Sequence, residues 1–212
     1  MSDFSRLADT VFRGDIIGAK DITQMLIDEG SDPMEIINIG LIGGMNIVGP
    51  KFKAGEMFIP EVMMAAKAMA AGMRLVKPFI SDQDIPSLGT IVIGTVKGDL
   101  HDIGKNLVSM ILQSGGFKVI DLGVNVSAEQ FIEAVREHKP QILGLSALLT
   151  TTMMGMKDTI DALKEAGLRD QIKTLVGGAP VSQSFADEIG ADGYCADAMA
   201  AKERCLQIVS AS

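Results

Sequence analysis

The residues best suited to chemistry lie on one short stretch, Gly98-Asp99-Leu100-His101-Asp102-Ile103-Gly104-Lys105-Asn106. It follows the strand-like run Thr90–Val96 and precedes an apolar helical segment. A carboxylate, an imidazole and a helix-opening glycine are thus predicted at the carboxyl end of a strand, where open α/β sheets bind ligands. A carboxylate two residues before a histidine can hold one ring nitrogen, fix the tautomer and make the other nitrogen a better metal ligand. The loop therefore reads as a single-histidine metal or cofactor site.

Two further elements fall at ends of predicted strands. One is Gly144-Leu145-Ser146-Ala147-Leu148-Leu149-Thr150-Thr151-Thr152, the other Gly177-Gly178-Ala179-Pro180. Each alone has a plain reading: a glycine pair is a turn after a strand, and a threonine run is a polar helix start.

These loops need a frame. After residue 89 the chain repeats strand, loop and helix. Strands are expected at 90–95, 117–122, 140–146, 172–177 and near 193–195. Helices are expected at about 104–115, 128–138, 153–166, 182–189 and 197–209. The strands are short apolar runs without alternation, as when both faces are covered. Each crossover is long enough for a right-handed βαβ unit. The rhythm predicts a five-stranded, flavodoxin-like (Rossmann-type) doubly wound parallel sheet.

Residues 1–80 read as helical instead. Leu7 and Val11 mark a first segment. Ile16, Ile17, Ile22, Met25 and Leu26 follow a helical period before Gly30. Asp32-Pro33-Met34-Glu35 is a helix start leading to Ile36, Ile37, Leu41, Met45 and Val48. A last helix is expected from about Pro60 to Val76. Four helices with short loops make a bundle. The division expected is a helical-bundle cap at 1–80, a polar linker at 81–89 and an α/β domain at 90–212.

Composition narrows the function. A net charge of -8 without a basic run argues against a nucleic-acid surface. No apolar run is long enough for a membrane span, and the N-terminus lacks a signal-peptide pattern. Two cysteines, Cys195 and Cys205, in no metal-like spacing point to a reduced, cytoplasmic protein with inert thiols. His138, at a helix end, is expected to be exposed. Nine of the 14 methionines precede residue 79, which reads as adaptable packing in the helical half.

Taken together, the three loops resemble the cobalamin-binding family that includes methionine synthase and the small corrinoid proteins of anaerobic methyltransferase systems. The family pattern is Asp-X-His-X-X-Gly, then Ser-X-Leu, then Gly-Gly. Here 41 residues separate Gly104 from Ser146 and 30 separate Ser146 from Gly177. The stretch Lys53–Ala66, with Gly55, Glu56, Phe58 and Pro60, resembles the family's helical cap. The run Ser146–Met153 resembles the corrinoid proteins for methylamines and quaternary amines.

The resemblance implies a role for each residue. His101 ligates cobalt from below, displacing cobalamin's own benzimidazole (base-off, His-on). Asp99 holds the other ring nitrogen. Thr152, where the family usually has serine, extends this relay toward solvent. Gly98, Asp102, Ile103 and Gly104 lie against the corrin. Ser146 bonds the displaced benzimidazole, with Leu148 and Thr150 lining its slot. Gly177 and Gly178 leave room for the nucleotide tail, and Tyr194 closes the slot. Phe58, with Val62 as the weaker candidate, lies over the methyl on cobalt.

The implied function is a methyl carrier. It takes a methyl group on Co(I) from a substrate-specific methyltransferase and gives it up from methyl-Co(III) to a second methyltransferase using a thiol or folate acceptor. A reductive activase is a further implied partner, and the chain alone catalyses nothing. A cobalamin-responsive regulator acting through a partner is the alternative; no basic recognition helix is present to bind DNA directly. The small subunit of a radical mutase is disfavoured by the helical cap.

Overall fold

The computed structural model describes residues 3–80 and 87–210. Residues 81–86 of the expected linker lie outside the described residues. The chain forms two compact units, residues 1–86 with 114–116, and residues 87–113 with 117–212.

The helical unit holds α1 (Asp3–Phe12), α2 (Ile16–Asp28), α3 (Pro33–Glu35), α4 (Ile42–Lys53) and α5 (Ile59–Val76). Asp15 caps α2 by accepting from the Gly18 N–H at 2.9 Å, and Asp32 caps α3 by accepting from the Met34 N–H at 2.9 Å. Glu61 reaches back to accept from the Phe58 N–H at 2.7 Å, which fixes the start of α5. The sequence predicts one helix from Pro33 onward. Instead, α3 and α4 are joined by a π-helical stretch at Ile36–Leu41. Its wider turn lets both adjacent pairs, Ile36 with Ile37 and Gly40 with Leu41, enter the core. Helix α1 packs on α2 and α4, and α5 packs on the same two. The backbones approach closely: a Cβ on Gly44 would stand 2.6 Å from the Ala8 carbonyl oxygen.

The second unit contains the sheet. Strands β1 (Thr90–Thr95), β2 (Lys118–Asp121), β3 (Ile142–Ser146), β4 (Lys173–Gly177) and β5 (Gly193–Cys195) are all parallel, in the order β2-β1-β3-β4-β5. This is the flavodoxin-like order, and its switch point lies between β1 and β3. The pairing puts Thr95 beside Ser146, and Ser146 beside Gly177. The carboxyl ends of β1, β3 and β4, which carry the three predicted motifs, are therefore neighbours.

Helices α6 (Ile103–Ser114), α7 (Ala128–His138), α8 (Met154–Glu165), α9 (Gln183–Ile189) and α10 (Ala198–Ser210) cover the sheet. Alternate residues of the strands feed two cores. Val92, Leu143 and Val176 pack with Phe131, Ile160 and Ile189 of α7, α8 and α9. Ile91, Ile142 and Leu175 pack with Leu112 of α6 and Cys205 of α10. Ser127 opens α7 with a reciprocal capping box to Gln130. Every expected strand and helix of this unit is present, with ends within two residues of the expectation.

Candidate functional site

The site grows from the turn after β1. Val96 to Asp99 form a tight turn in which the Asp99 N–H donates to the Val96 carbonyl at 3.1 Å. Its third residue, Gly98, has φ +83, the left-handed value a type II turn requires there. The Gly98 N–H donates to Asn125 Oδ1 at 2.8 Å, and the Asn125 N–H donates to the Asp99 carbonyl at 2.9 Å. The buried Thr95 hydroxyl donates to the His101 carbonyl at 2.9 Å. The loop is thus tied to its neighbours before any ligand arrives.

Asp99 is fully buried. Its Oδ1 accepts from the His101 N–H at 3.0 Å and faces His101 Nδ1 at 2.7 Å. Its Oδ2 accepts from the Leu148 N–H at 2.7 Å, the Leu149 N–H at 3.3 Å and the Thr152 hydroxyl at 2.7 Å. Burial pushes this carboxyl up, but the hydrogen bonds from Thr152, Leu148 and His101 outweigh it and hold Asp99 well below the usual carboxylate range. A carboxylate only accepts, so Nδ1 of His101 carries the proton and Nε2 presents a lone pair. The side chain of His101 is 50% exposed. The geometry is that of a metal ligand with its tautomer already fixed.

Beside it, on the α6 and α10 face of the sheet, a cleft of about 880 Å³ opens, within the usual range for small-molecule and cofactor sites. Its mouth carries His101, Leu100 and Ile103, and its interior is mainly apolar. Ser146, Leu148, Gly177, Gly178 and Tyr194 line it, as does Asp102. The Ser146 carbonyl accepts from the Val96 N–H at 3.0 Å, but its hydroxyl has no hydrogen-bond partner among the described residues, so an unpaired hydroxyl meets an apolar slot. Gly178 has φ +130, and a Cβ there would fall 1.8 Å from the Ala147 carbonyl oxygen, so only glycine fits.

Gly104 differs: a Cβ there would meet no protein atom within 4 Å. The protein's own packing does not require glycine at 104, so the space above it suits a bound group. Leu100 (70% exposed) and Ile103 (84%) form an apolar rim beside it. Apolar rim, open glycine, free imidazole nitrogen and unpaired hydroxyl all fit a large, flat, metal-holding macrocycle with a heterocyclic tail. Gly104→Ala is expected to leave the apoprotein as stable or to gain up to about 1 kcal/mol from helix propensity. Overpacking by about 1–3 kcal/mol would weaken binding of such a macrocycle by roughly 5- to 150-fold. Thermal unfolding of the apoprotein and titration with the macrocycle measure the two effects.

Some expected residues sit elsewhere. Thr150 is exposed and lies outside the cleft, because the chain turns away after Leu148 to begin the approach to α8. Val62 is 1% exposed, whereas Phe58 is 70% exposed. Only Phe58 therefore offers surface to shield anything. His138 is partly buried rather than exposed, with Glu137 at 3.9 Å from Nε2.

Other contributors were missed. The Leu148 and Leu149 N–H groups that hold Asp99 are backbone donors, which residue types do not announce. Asn125 had one signal, its place in the polar turn after β2, where its φ of 54 suits asparagine. Cys195 and Cys205 line the cleft. Burial pushes their thiols up to about 11 and about 12. Both are expected to resist iodoacetamide at pH 8 in the native protein and to react after unfolding, read by mass spectrometry.

The sheet, its loops and the helical unit match known families. Residues 89–203 match the B12 binding domain, and residues 4–77 match a second B12 binding domain model. The chain belongs to the family of B12-binding corrinoid proteins, and its cofactor is cobalamin. A trimethylamine corrinoid protein of Methanosarcina acetivorans is 48% identical over 83% of this chain and 82% of that protein. A corrinoid protein of Desulfitobacterium hafniense is 44% identical over 99% of this chain and 98% of that protein. Among solved structures, the methanol:cobalamin methyltransferase complex MtaBC of Methanosarcina barkeri matches with TM-score 0.91 and 34% identity, over 99% of this chain and 80% of that one. No helix among the described residues is long and apolar enough to cross a membrane.

Proposed function

We propose that this chain is a methyl carrier between two methyltransferases in the cytoplasm. It accepts a methyl group from a substrate:corrinoid methyltransferase and delivers it to a second one, whose acceptor is a thiol or a folate. A reductive activase is the third partner. The observation that carries this reading is the Asp99–His101 pair, with Nε2 free at the mouth of a cleft that also holds the unpaired Ser146 hydroxyl. The relatives named for trimethylamine and dimethylamine support a methylamine as the methyl donor.

The bound corrinoid supplies the chemistry of accepting and releasing the methyl group at cobalt. The protein's residues do the rest. His101 would hold the corrinoid's cobalt through Nε2. Asp99 keeps the proton on Nδ1. The Thr152 hydroxyl links that carboxylate to the partly exposed loop before α8. The Ser146 hydroxyl would hold the cofactor's nucleotide tail, in a slot that Leu148, Tyr194, Gly177 and Gly178 line. The chain alone transfers nothing, because both reacting substrates are held by its partners.

The test mixes the reduced, cobalamin-loaded chain with a trimethylamine:corrinoid methyltransferase and trimethylamine. Dimethylamine should form in step with a change in the corrinoid's visible absorbance. A cobalamin-loaded chain that is demethylating no methylamine with any trimethylamine, dimethylamine or monomethylamine methyltransferase would contradict the proposal and favour a regulatory role.

A further inference from the structure

The first turn of α6 holds a buried cation, Lys105, which is among the residues lining the cleft but whose charge is paired with Asp121 of β2. Lys105 is the third residue of the helix, and its side chain is 2% exposed. A cation there sits at the positive end of the helix dipole and has lost its water, and both effects are unfavourable. Three contacts hold it. Nζ lies 2.5 Å from Asp121 Oδ2, 2.7 Å from Asp121 Oδ1 and 2.7 Å from Asn106 Oδ1.

Each partner is held in turn. Asp121 ends β2, and its Oδ1 accepts from the Gly123 N–H at 2.8 Å. The Ser109 hydroxyl donates to Asp121 Oδ2 at 3.4 Å. Asn106 Nδ2 donates to Asp102 Oδ2 at 2.9 Å, and the Asn106 N–H donates to the Asp102 carbonyl at 2.7 Å. Asp102 directly follows His101. A continuous chain of bonds therefore runs from the end of β2, through Lys105 and Asn106, to the residue beside the imidazole.

A buried ion pair adds little net stability, because desolvation offsets the attraction. What it adds is geometry, since a charged pair with several hydrogen bonds holds one arrangement. Asp99 and Thr95 fix the loop from the β1 and β3 side. Without Lys105 and Asp121, the first turn of α6 would lose its charged tie to β2, keeping the Asn106–Asp102 bonds within the turn and apolar packing, which tolerates small shifts. A ligating nitrogen does not tolerate them.

We infer that Lys105, clamped by Asp121, is a positioning residue that locks the first turn of α6 and so holds His101 where it meets cobalt. This rests on the reading of His101 as the lower ligand. The test uses full-length protein grown with nitrogen-15 histidine and loaded with cobalamin as Co(II). Its EPR spectrum is compared for wild type, Lys105→Met and Lys105→Met/Asp121→Asn. The double variant leaves no buried unpaired charge, so it should fold even where the single variant does not.

The histidine-coordinated fraction is expected to fall about tenfold in either folded variant, while cofactor content and thermal unfolding of the double variant stay near wild type. A double variant with the full wild-type nitrogen-15 splitting would overturn the inference, leaving Lys105 a structural charge alone. Wild-type protein without any nitrogen-15 splitting would instead overturn the ligation by His101 itself.

Discussion

Replacing His101 by alanine is expected to remove histidine coordination and methyl transfer together while leaving the fold and most of the cofactor binding intact. The imidazole is half exposed, so its loss removes little packing. Asp99 keeps its bonds from the His101 N–H, Leu148, Leu149 and Thr152, all of which survive the substitution. His101 is one of many residues lining the cleft, and those contributed by α6, β3, β4 and α10 stay in place when it is replaced. Cobalamin affinity should therefore change by no more than about tenfold. Methyl transfer should fall by about a hundredfold or more, the upper end of what disturbing a metal ligand's support costs. The only other histidine, His138, ends α7 and lines no part of the cleft, so it cannot substitute. Equilibrium dialysis and the trimethylamine assay separate the two effects. Loss of binding and transfer in equal measure would mean that His101 serves only to hold the cofactor.

Asp99→Asn should be nearly as severe for a different reason. Oδ2 faces three donors and Oδ1 faces the His101 N–H and Nδ1. The asparagine has one carbonyl oxygen, which belongs where the three donors converge. Its NH2 then points at His101. It can donate only to an unprotonated Nδ1, which moves the ring proton to Nε2 and removes the lone pair needed for cobalt. It also opposes the His101 N–H, leaving a buried donor unpaired at about 1–3 kcal/mol. The expected results are a lower melting temperature, a histidine-coordinated fraction reduced about 10- to 100-fold, and retained cofactor. Circular dichroism melts and Co(II) EPR measure these. Unchanged coordination would show that the carboxylate does not set the tautomer.

Much of this site was legible in the sequence because it is local. Asp99, His101 and Gly104 sit within six residues, and the helix-opening glycine at 104 announces itself by residue type. Ser146 and Gly177 could be placed beside that loop once the strand rhythm set a parallel sheet, since parallel register brings strand ends together. What was not legible is what depends on long-range packing. The Lys105–Asp121 pair joins residues on α6 and β2, and nothing in either segment names its partner. The family resemblance implies that Thr150 lines the slot, but the loop leaves it exposed and outside the cleft. Val62 is buried on α5 with Ala65, Ala66 and Met69, a packing role that its resemblance to a cap residue does not reveal. The π-helical stretch at Ile36–Leu41 carries no distinct residue pattern, because its cause is the packing of two adjacent apolar pairs.

The central claim is that His101 is the lower ligand of the bound cofactor. Its most direct test is the EPR spectrum of the wild-type Co(II) protein, grown with nitrogen-15 histidine and loaded with unlabelled cobalamin. A doublet splitting from nitrogen-15 is expected, meaning that His101 has replaced the benzimidazole. A triplet from nitrogen-14 would mean that cobalamin keeps its own base, and the roles assigned to Asp99, His101, Thr152 and Lys105 would be withdrawn together.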